Sequence, residues 1–415
     1  MNGQIIETVT QTQVPREGKL RVSFISSLPP LKGVSSYSVP LLQALGERDD
    51  LEIEAVSFSR LYPERFYPGG TQSDPTAERP LLTGVRVHEV LDGVNPLSWV
   101  AGGCSLRGQI VHAQWWSQVL GPAYFTTLSI AKLRCRKVVI TVHNVQAHEP
   151  SPWKSLVDRM VVALADHLIV HTRQNAVALV AAFPSMKGRV SIVAMGPQGV
   201  QGARGITRAA ARKSLGIRSK GPVILFFGNI RPYKGLDVLL EAYASVQASL
   251  PAARLLVVGH PWKDSASVSQ TLEHARRMAG VEVRPEFVPE NEVEPYFAAA
   301  ELVVFPYKGF EAQSGAASRA LAFHRAMVVS DVGGLRELVR DPIAVVPPSQ
   351  PAALAKAITR ILGERGLRKR LEADTRLVAR ELDWPNIAAA TADVYRKVLR
   401  KPGDVWTSDA PLRAG

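Results

Sequence analysis

Leu225–Leu240 reads LFFGNIRPYKGLDVLL: a short apolar run, a polar loop and the start of a helical repeat. The run lacks strict polar alternation, which predicts a strand buried on both faces, as in a parallel sheet covered by helices. It ends at Gly228, the loop presents Arg231 and Lys234, and an amphipathic helix begins near Leu236. Asp237 falls in the first turn, where a carboxylate suits the helix dipole. Two cations held at a strand's carboxyl end suit a diphosphate, Arg in forked geometry and Lys as a point charge. Taken alone, the loop reads equally well as a solvated glycine turn.

The same strand, loop and helix succession recurs on both sides. Strand candidates before it are Leu20–Ser27, Leu51–Phe58, Val85–Val90, Gln109–His112, Lys137–His143, His167–His171 and Val190–Val193. From Pro222 on they are Pro222–Gly228, Ala253–Gly259, Glu282–Phe287, Leu302–Pro306, Ala326–Asp331 and Ile343–Val346. Their alternation with helical patterns predicts an α/β, doubly wound architecture. Gly196–Gly205 (GPQGVQGARG) is glycine-rich and poor in apolar residues, which marks a linker. The chain therefore divides into a disordered tail (1–18), a Rossmann-like domain (19–200), a second one (206–383), a closing helix (384–400) and a frayed tail (401–415). Trp384-Pro385 opens the closing helix, where proline fits the first turn. Two such halves face to face leave a cleft between strand carboxyl ends, where ligands of such sheets bind.

Composition narrows the class. With 415 residues, 46% hydrophobic and 21% charged, the chain has enough apolar residues for large cores and is not a disordered polymer. Cys104 and Cys135 make no disulfide framework and no metal spacing, and read as reduced packing residues. No apolar run approaches the ~18 residues of a membrane span, and Met1–Gly18 lacks the apolar segment of a signal peptide. A cytoplasmic location is expected. Lys and Arg number 50 against 37 Asp and Glu, a formal +13, which favours polyanionic partners. The basic residues are scattered and no nucleic-acid motif accompanies them, so phosphate or an anionic membrane surface is favoured over nucleic acid.

A second segment, Leu302–Val339, reads LVVFPYKGFEAQSGAASRALAFHRAMVVSDVGGLRELV. Here a strand ends at Pro306, a loop carries Glu311 and Gln313, and Ser314-Gly315 opens an alanine-rich helix. Unpaired amides and the positive dipole end at Ser314–Ala316 suit an anion, although the same pair also reads as a plain helix cap. After Asp331, Gly333-Gly334 lets backbone approach a ligand closely. A third segment, TVHNVQAHEP, places His143, Asn144, His148 and Glu149 at a strand end and loop. No further ligand pair supports a metal site there, and a lone buried histidine is ordinarily satisfied by backbone. Trp115 and Trp116 follow another strand end, suited to stacking on a sugar or lipid or to packing on the next helix. Leu61–Gly70 (LYPERFYPGG) reads as a lid, a ligand-contacting loop or plain surface.

From Val22 to Leu399 the chain resembles the family 4 glycosyltransferases of GT-B fold, which move a sugar from a nucleotide diphosphate with retention of configuration. FFGNIRPYKGLDVLLEA, the QSG loop followed by VVSDVGGLREL, and TVHNVQAHEP carry the resemblance. It implies two facing Rossmann-like domains with parallel sheets and a C-terminal helix crossing back to the N-terminal one. It implies that Arg231 and Lys234 hold the donor diphosphate with the Ser314-Gly315 turn under its distal phosphate. Gly228, Glu311 and Gln313 then complete the donor site, Glu311 standing one residue from the position where most relatives carry a glutamate near the sugar. His143 then contacts the transferred sugar, and Gly33 lies beside diphosphate and acceptor, with Trp115 and Trp116 on the acceptor side. Most relatives carry two glutamates eight positions apart where this chain has Ala312 and Ala320, which puts the ribose contact in doubt. The expected activity is metal-independent hexosyl transfer from a nucleotide diphosphate sugar to a saccharide or polyprenyl-linked acceptor, for surface polysaccharide or glycolipid, by a protein docked on the inner face of the membrane. The alternatives are a non-catalytic sugar-nucleotide-binding protein and an epimerase of the same fold. A nicotinamide oxidoreductase is disfavoured, because LPPLKGVSS follows the first strand in place of Gly-x-Gly-x-x-Gly.

Overall fold

The computed structural model describes residues 18–63, 72–74, 77, 79–144, 152–199, 205–261, 266–309 and 314–400. Both terminal tails, Glu311, Ala312, Gln313, His148, Glu149 and most of Leu61–Gly70 lie outside the described residues. Among the described residues thirteen strands form two sheets. In the first, β1 (Leu20–Ser26), β2 (Leu51–Arg60), β3 (Val85–Asp92), β4 (Ile110–Trp115), β5 (Lys137–Val142), β6 (His167–Val170) and β7 (Val190–Ile192) lie in the order β3-β2-β1-β4-β5-β6-β7. In the second, β8 (Val223–Phe227), β9 (Arg254–Val258), β10 (Val281–Arg284), β11 (Leu302–Phe305), β12 (Met327–Ser330) and β13 (Val345–Val346) run β10-β9-β8-β11-β12-β13. Every pairing between these strands is parallel.

Burial on both faces explains the strands' apolar composition. In β5, Val138, Ile140 and Val142 enter one core cluster while Val139 enters another on the opposite face. Similarly in β8, Ile224 and Phe226 point to one core and Val223, Leu225 and Phe227 to the other. The period of two is the pleat itself.

Each sheet reverses its strand order once, between β1 and β4 in the first and between β8 and β11 in the second. At such a switch point the loops leaving neighbouring strands diverge to opposite faces and open a crevice. The loops after β1, β4, β8 and β11 are those that carry Gly33, Trp116, Arg231 with Lys234, and Ser314-Gly315.

The C-terminal helix Trp384–Leu399 starts on an Asp383 cap, whose side chain accepts the Asn386 N–H, with Pro385 in its first turn. It packs on the first sheet: Ile387, Ala388, Ala392, Val394 and Tyr395 share a core with Val22, Phe24, Leu41 and Leu45. Trp384 donates its indole N–H to the Pro197 carbonyl at 2.8 Å, and Arg396 pairs with Asp50. Two expectations need correction. Cys104 and Cys135 are exposed, at the ends of the helices Pro96–Ser105 and Gly121–Leu133, so they are not packing residues. β4 runs three residues beyond His112, which changes the reading of the tryptophans below. Among the described residues no helix is long and apolar enough to cross a membrane.

Candidate functional site

Loops of both sheets converge on a cleft of about 310 Å³, within the range of small-molecule sites. Gly33, Tyr37, Trp116 and His143 line it from the first half, and Asn229, Arg231, Lys234 and Gly315 from the second. Gly33, at φ +89°, leaves no room for a side chain: a Cβ would sit 2.9 Å from Ser27 Oγ and 3.2 Å from the Trp116 indole nitrogen. The first loop therefore runs as bare backbone at the cleft floor.

Lys234 belongs to a 3₁₀ turn, Pro232–Lys234, that follows Arg231 and leads through Gly235 into the helix Leu236–Ser249. The turn folds the lysine back over the end of β8. Its residue is buried, and its ammonium lies 5.5 Å from the centroid of the Tyr307 ring. At Gly228, φ +109°, a Cβ would come 3.1 Å from Lys234 Nζ and 3.3 Å from Ala316 Cβ. One missing side chain thus marks the place where the ammonium meets the first turn of the helix Gly315–Ala322. Burial, and next the nearby Arg231 charge, lower the Lys234 pKa to about 7.

Ser314 caps that helix, its Oγ accepting the Ala317 N–H at 3.4 Å and lying 2.9 Å from the Tyr307 hydroxyl. Burial holds Tyr307 as a phenol. First-turn amides have no partner inside the helix ladder. A guanidinium, an ammonium and a helix N-terminus around one cleft suit an anion with two phosphate groups.

His143 follows β5 and is buried at the cleft wall, with its ring edge-on to Tyr37 at 4.8 Å between centroids. Both of its ring nitrogens are engaged: Nε2 lies 2.8 Å from the Gln114 side chain and Nδ1 3.1 Å from His171 Nε2. Burial first, then the neighbouring imidazoles, push its pKa well below the ordinary value, so the ring is neutral.

The tryptophans separate. Trp115, expected on the acceptor side, does not reach the cleft. As the last residue of β4 it alternates with Gln114, packs in the core with Val111 and Ala113, and donates its indole N–H to Asp158 at 2.9 Å. Trp116, one residue past the strand, turns into the cleft. Ala320, one of the two positions where relatives carry glutamate, is wholly buried in the second half's core. Sequence reasoning missed Ser36, Tyr37, Gln198 and Asn229. Asn229 follows the strand-end glycine directly and was legible there; Gln198 sits in a stretch whose composition resembles a spacer. Gln198 in fact joins the halves, its backbone N–H reaching the Ser318 carbonyl at 3.4 Å. Among the described residues no group of three or more His, Cys, Asp or Glu is placed to hold a metal ion.

Comparison with known proteins bears on this geometry. The family described as glycosyl transferases group 1 matches residues 221–364. The D-inositol 3-phosphate glycosyltransferase of Xylanimonas cellulosilytica is 30% identical over 415 residues, spanning 90% of this chain and 98% of its own. Its counterpart in Acidothermus cellulolyticus is 26% identical, over 92% of this chain and 93% of its own. Among solved structures, sucrose-phosphate synthase from Thermosynechococcus elongatus superposes with a TM-score of 0.69 at 19% identity, covering 92% of this chain and 99% of that one. Anabaena HepE, in complex with UDP and glucose, does so with a TM-score of 0.68 at 15% identity, covering 91% and 100%.

Proposed function

We propose, on the premise that the chain belongs to the group 1 glycosyltransferases and has their GT-B fold, that it moves a hexose from a nucleoside diphosphate sugar to a saccharide or polyprenyl-linked acceptor with retention of configuration. One observation carries the reading: Lys234 Nζ and Ala316 meet at Gly228, beside Arg231, where the second sheet reverses its order. As the glycosidic bond breaks, negative charge develops on the departing diphosphate. Arg231, Lys234 and the Gly315–Ala316 amides are preorganised for that charge and stabilise it more in the transition state than in the ground state. No metal is assigned a part; the two cations take it.

His143, with both nitrogens engaged, is not assigned as a base. The acceptor hydroxyl attacks from the face the diphosphate leaves, and its proton passes to the departing phosphate oxygen. Trp116 and Tyr37 give the acceptor an aromatic wall beside the bare Gly33 loop. HepE is solved with UDP and glucose, which supports a uridine diphosphate sugar as the first donor to try. A second reading, a binding protein without transfer, is favoured by Ala320, whose side chain offers the ribose no polar atom.

The test is product analysis by NMR after incubation with UDP-, GDP- and ADP-hexoses and a panel of saccharide and polyprenyl phosphate acceptors. A new glycoside with the donor's anomeric configuration is expected. Inversion overturns the mechanism. Donor binding with neither transfer nor hydrolysis establishes the second reading.

A further inference from the structure

Behind His143 a file of buried polar side chains crosses the first sheet. Tyr395, on the C-terminal helix, has its hydroxyl 2.6 Å from His112 Nδ1. His112 Nε2 lies 3.0 Å from the Gln114 carboxamide and 2.7 Å from Thr141 Oγ1. Gln114 reaches His143 Nε2, His143 Nδ1 reaches His171 Nε2, and His171 Nδ1 ends the file 2.9 Å from the Val193 carbonyl.

Protons in this file can be counted. The Val193 carbonyl only accepts, so His171 carries its hydrogen on Nδ1 and offers a lone pair at Nε2. His143 must then donate from Nδ1 and offers a lone pair at Nε2. A carboxamide oxygen facing that lone pair would require a third proton on two buried rings. Burial opposes it, lowering His171 to about 4 and His143 well below its ordinary value. Oxygen and nitrogen of a carboxamide fill the same outline, and their partners decide which is which. Gln114 therefore turns its NH₂ to His143 and its carbonyl to His112. His112 then donates from Nε2, and its bare Nδ1 accepts from the Tyr395 hydroxyl.

We infer that Tyr395, His112, Gln114, His143 and His171 form one hydrogen-bond chain with every donor pointing the same way, from the C-terminal helix to Val193. Within it Gln114 and His171 are positioning residues: they present His143 to the cleft as a neutral imidazole protonated on Nδ1, with Nε2 able to exchange the Gln114 amide for a sugar hydroxyl. Bonds aligned in one direction polarise one another, which stiffens the chain. This positioning role rests on the transferase reading, whereas the tautomers do not.

Histidine-selective ¹⁵N labelling of the full chain and long-range ¹H–¹⁵N spectra at pH 7 read the tautomers without any substrate. Nδ1 protonation of His143 and His171, and Nε2 protonation of His112, are expected. An Nε2-protonated His143, or a doubly protonated ring, overturns the inference. Gln114→Glu supplies the second arm, because an ionised carboxylate at this position only accepts and so puts the third proton on the His143–His171 pair, the ¹³C shift of the carboxyl reporting its ionisation in the same sample. A charged imidazole is expected in its spectrum, with kcat down tenfold or more and a smaller change in donor KM. Neutral rings beside an ionised carboxylate in the folded Gln114→Glu protein overturn the inference, whereas neutral rings beside a protonated carboxyl, which donates to His143 Nε2 as the amide does, uphold it. If the tautomers come out as expected but neither protein transfers sugar, the fault lies with the transferase reading alone.

Discussion

Lys234 holds an unusual position for a lysine: buried, beside a guanidinium, with a pKa lowered to about 7. A diphosphate arriving next to it favours the charged form and raises that pKa. Affinity should therefore be full below pH 7 and fall as pH rises above it, by about tenfold per unit until the pKa of the complex is reached. Calorimetry at pH 8 in buffers of different ionisation enthalpy should show proton uptake on UDP binding, and Lys234→Met should abolish it. Equal heats in all buffers remove the assigned role. Arg231→Ala should lower turnover about a hundredfold, the scale of one lost charge-stabilising contact, measured as initial rate at saturating donor. Arg231 and Lys234 were legible in the sequence because they lie in one loop behind one strand. The bonds of His143 were not, because Gln114 and His171 come from neighbouring strand ends far away in the chain. The tryptophans turned on a boundary: three more residues of β4 send Trp115 and Trp116 to different sides.

At the level of elements, all thirteen strand candidates are present, since parallel strands buried on both faces leave compact Val- and Ile-rich runs. Ends were less legible. β10 stops at Arg284, where Pro285 brings no N–H to the ladder, while β4 continues through His112 and Gln114 because their polar groups bond to one another inside the fold. The QSG segment was read as both cap and anion site, and the structure shows the cap: Ser314 Oγ accepts the Ala317 N–H. Ser314→Ala should cost about 1 kcal/mol of stability, seen as a small fall in Tm, and should weaken UDP binding as the first turn loosens. An unchanged Tm and unchanged affinity would leave Ser314 without the function given to it.

For the molecule as a whole, the two sheets each reverse once, and their crevices open onto the same cleft. That topology follows from strand order, which alternating strand and helix patterns suggest but do not specify. The C-terminal helix adds a constraint that local sequence could only hint at through Trp384-Pro385: it ties the chain's end to the first sheet through Trp384, Arg396 and an apolar face. From the formal +13 charge we propose docking on anionic lipid, which attracts basic surfaces within a Debye length. Flotation with phosphatidylglycerol vesicles should carry the protein upward at low salt and release it at high salt. Absence of binding at low salt overturns the docking.

The most direct measurement is titration calorimetry of UDP, GDP and ADP, each beside its monophosphate, into the wild-type protein and into Arg231→Ala and Lys234→Ala. One base should bind, its diphosphate more tightly than its monophosphate. Each substitution should weaken the diphosphate at least tenfold, with thermal stability unchanged and the monophosphate less affected. If the two variants bind the diphosphate as the wild type does, the cleft between the sheets is not where the pyrophosphate is held.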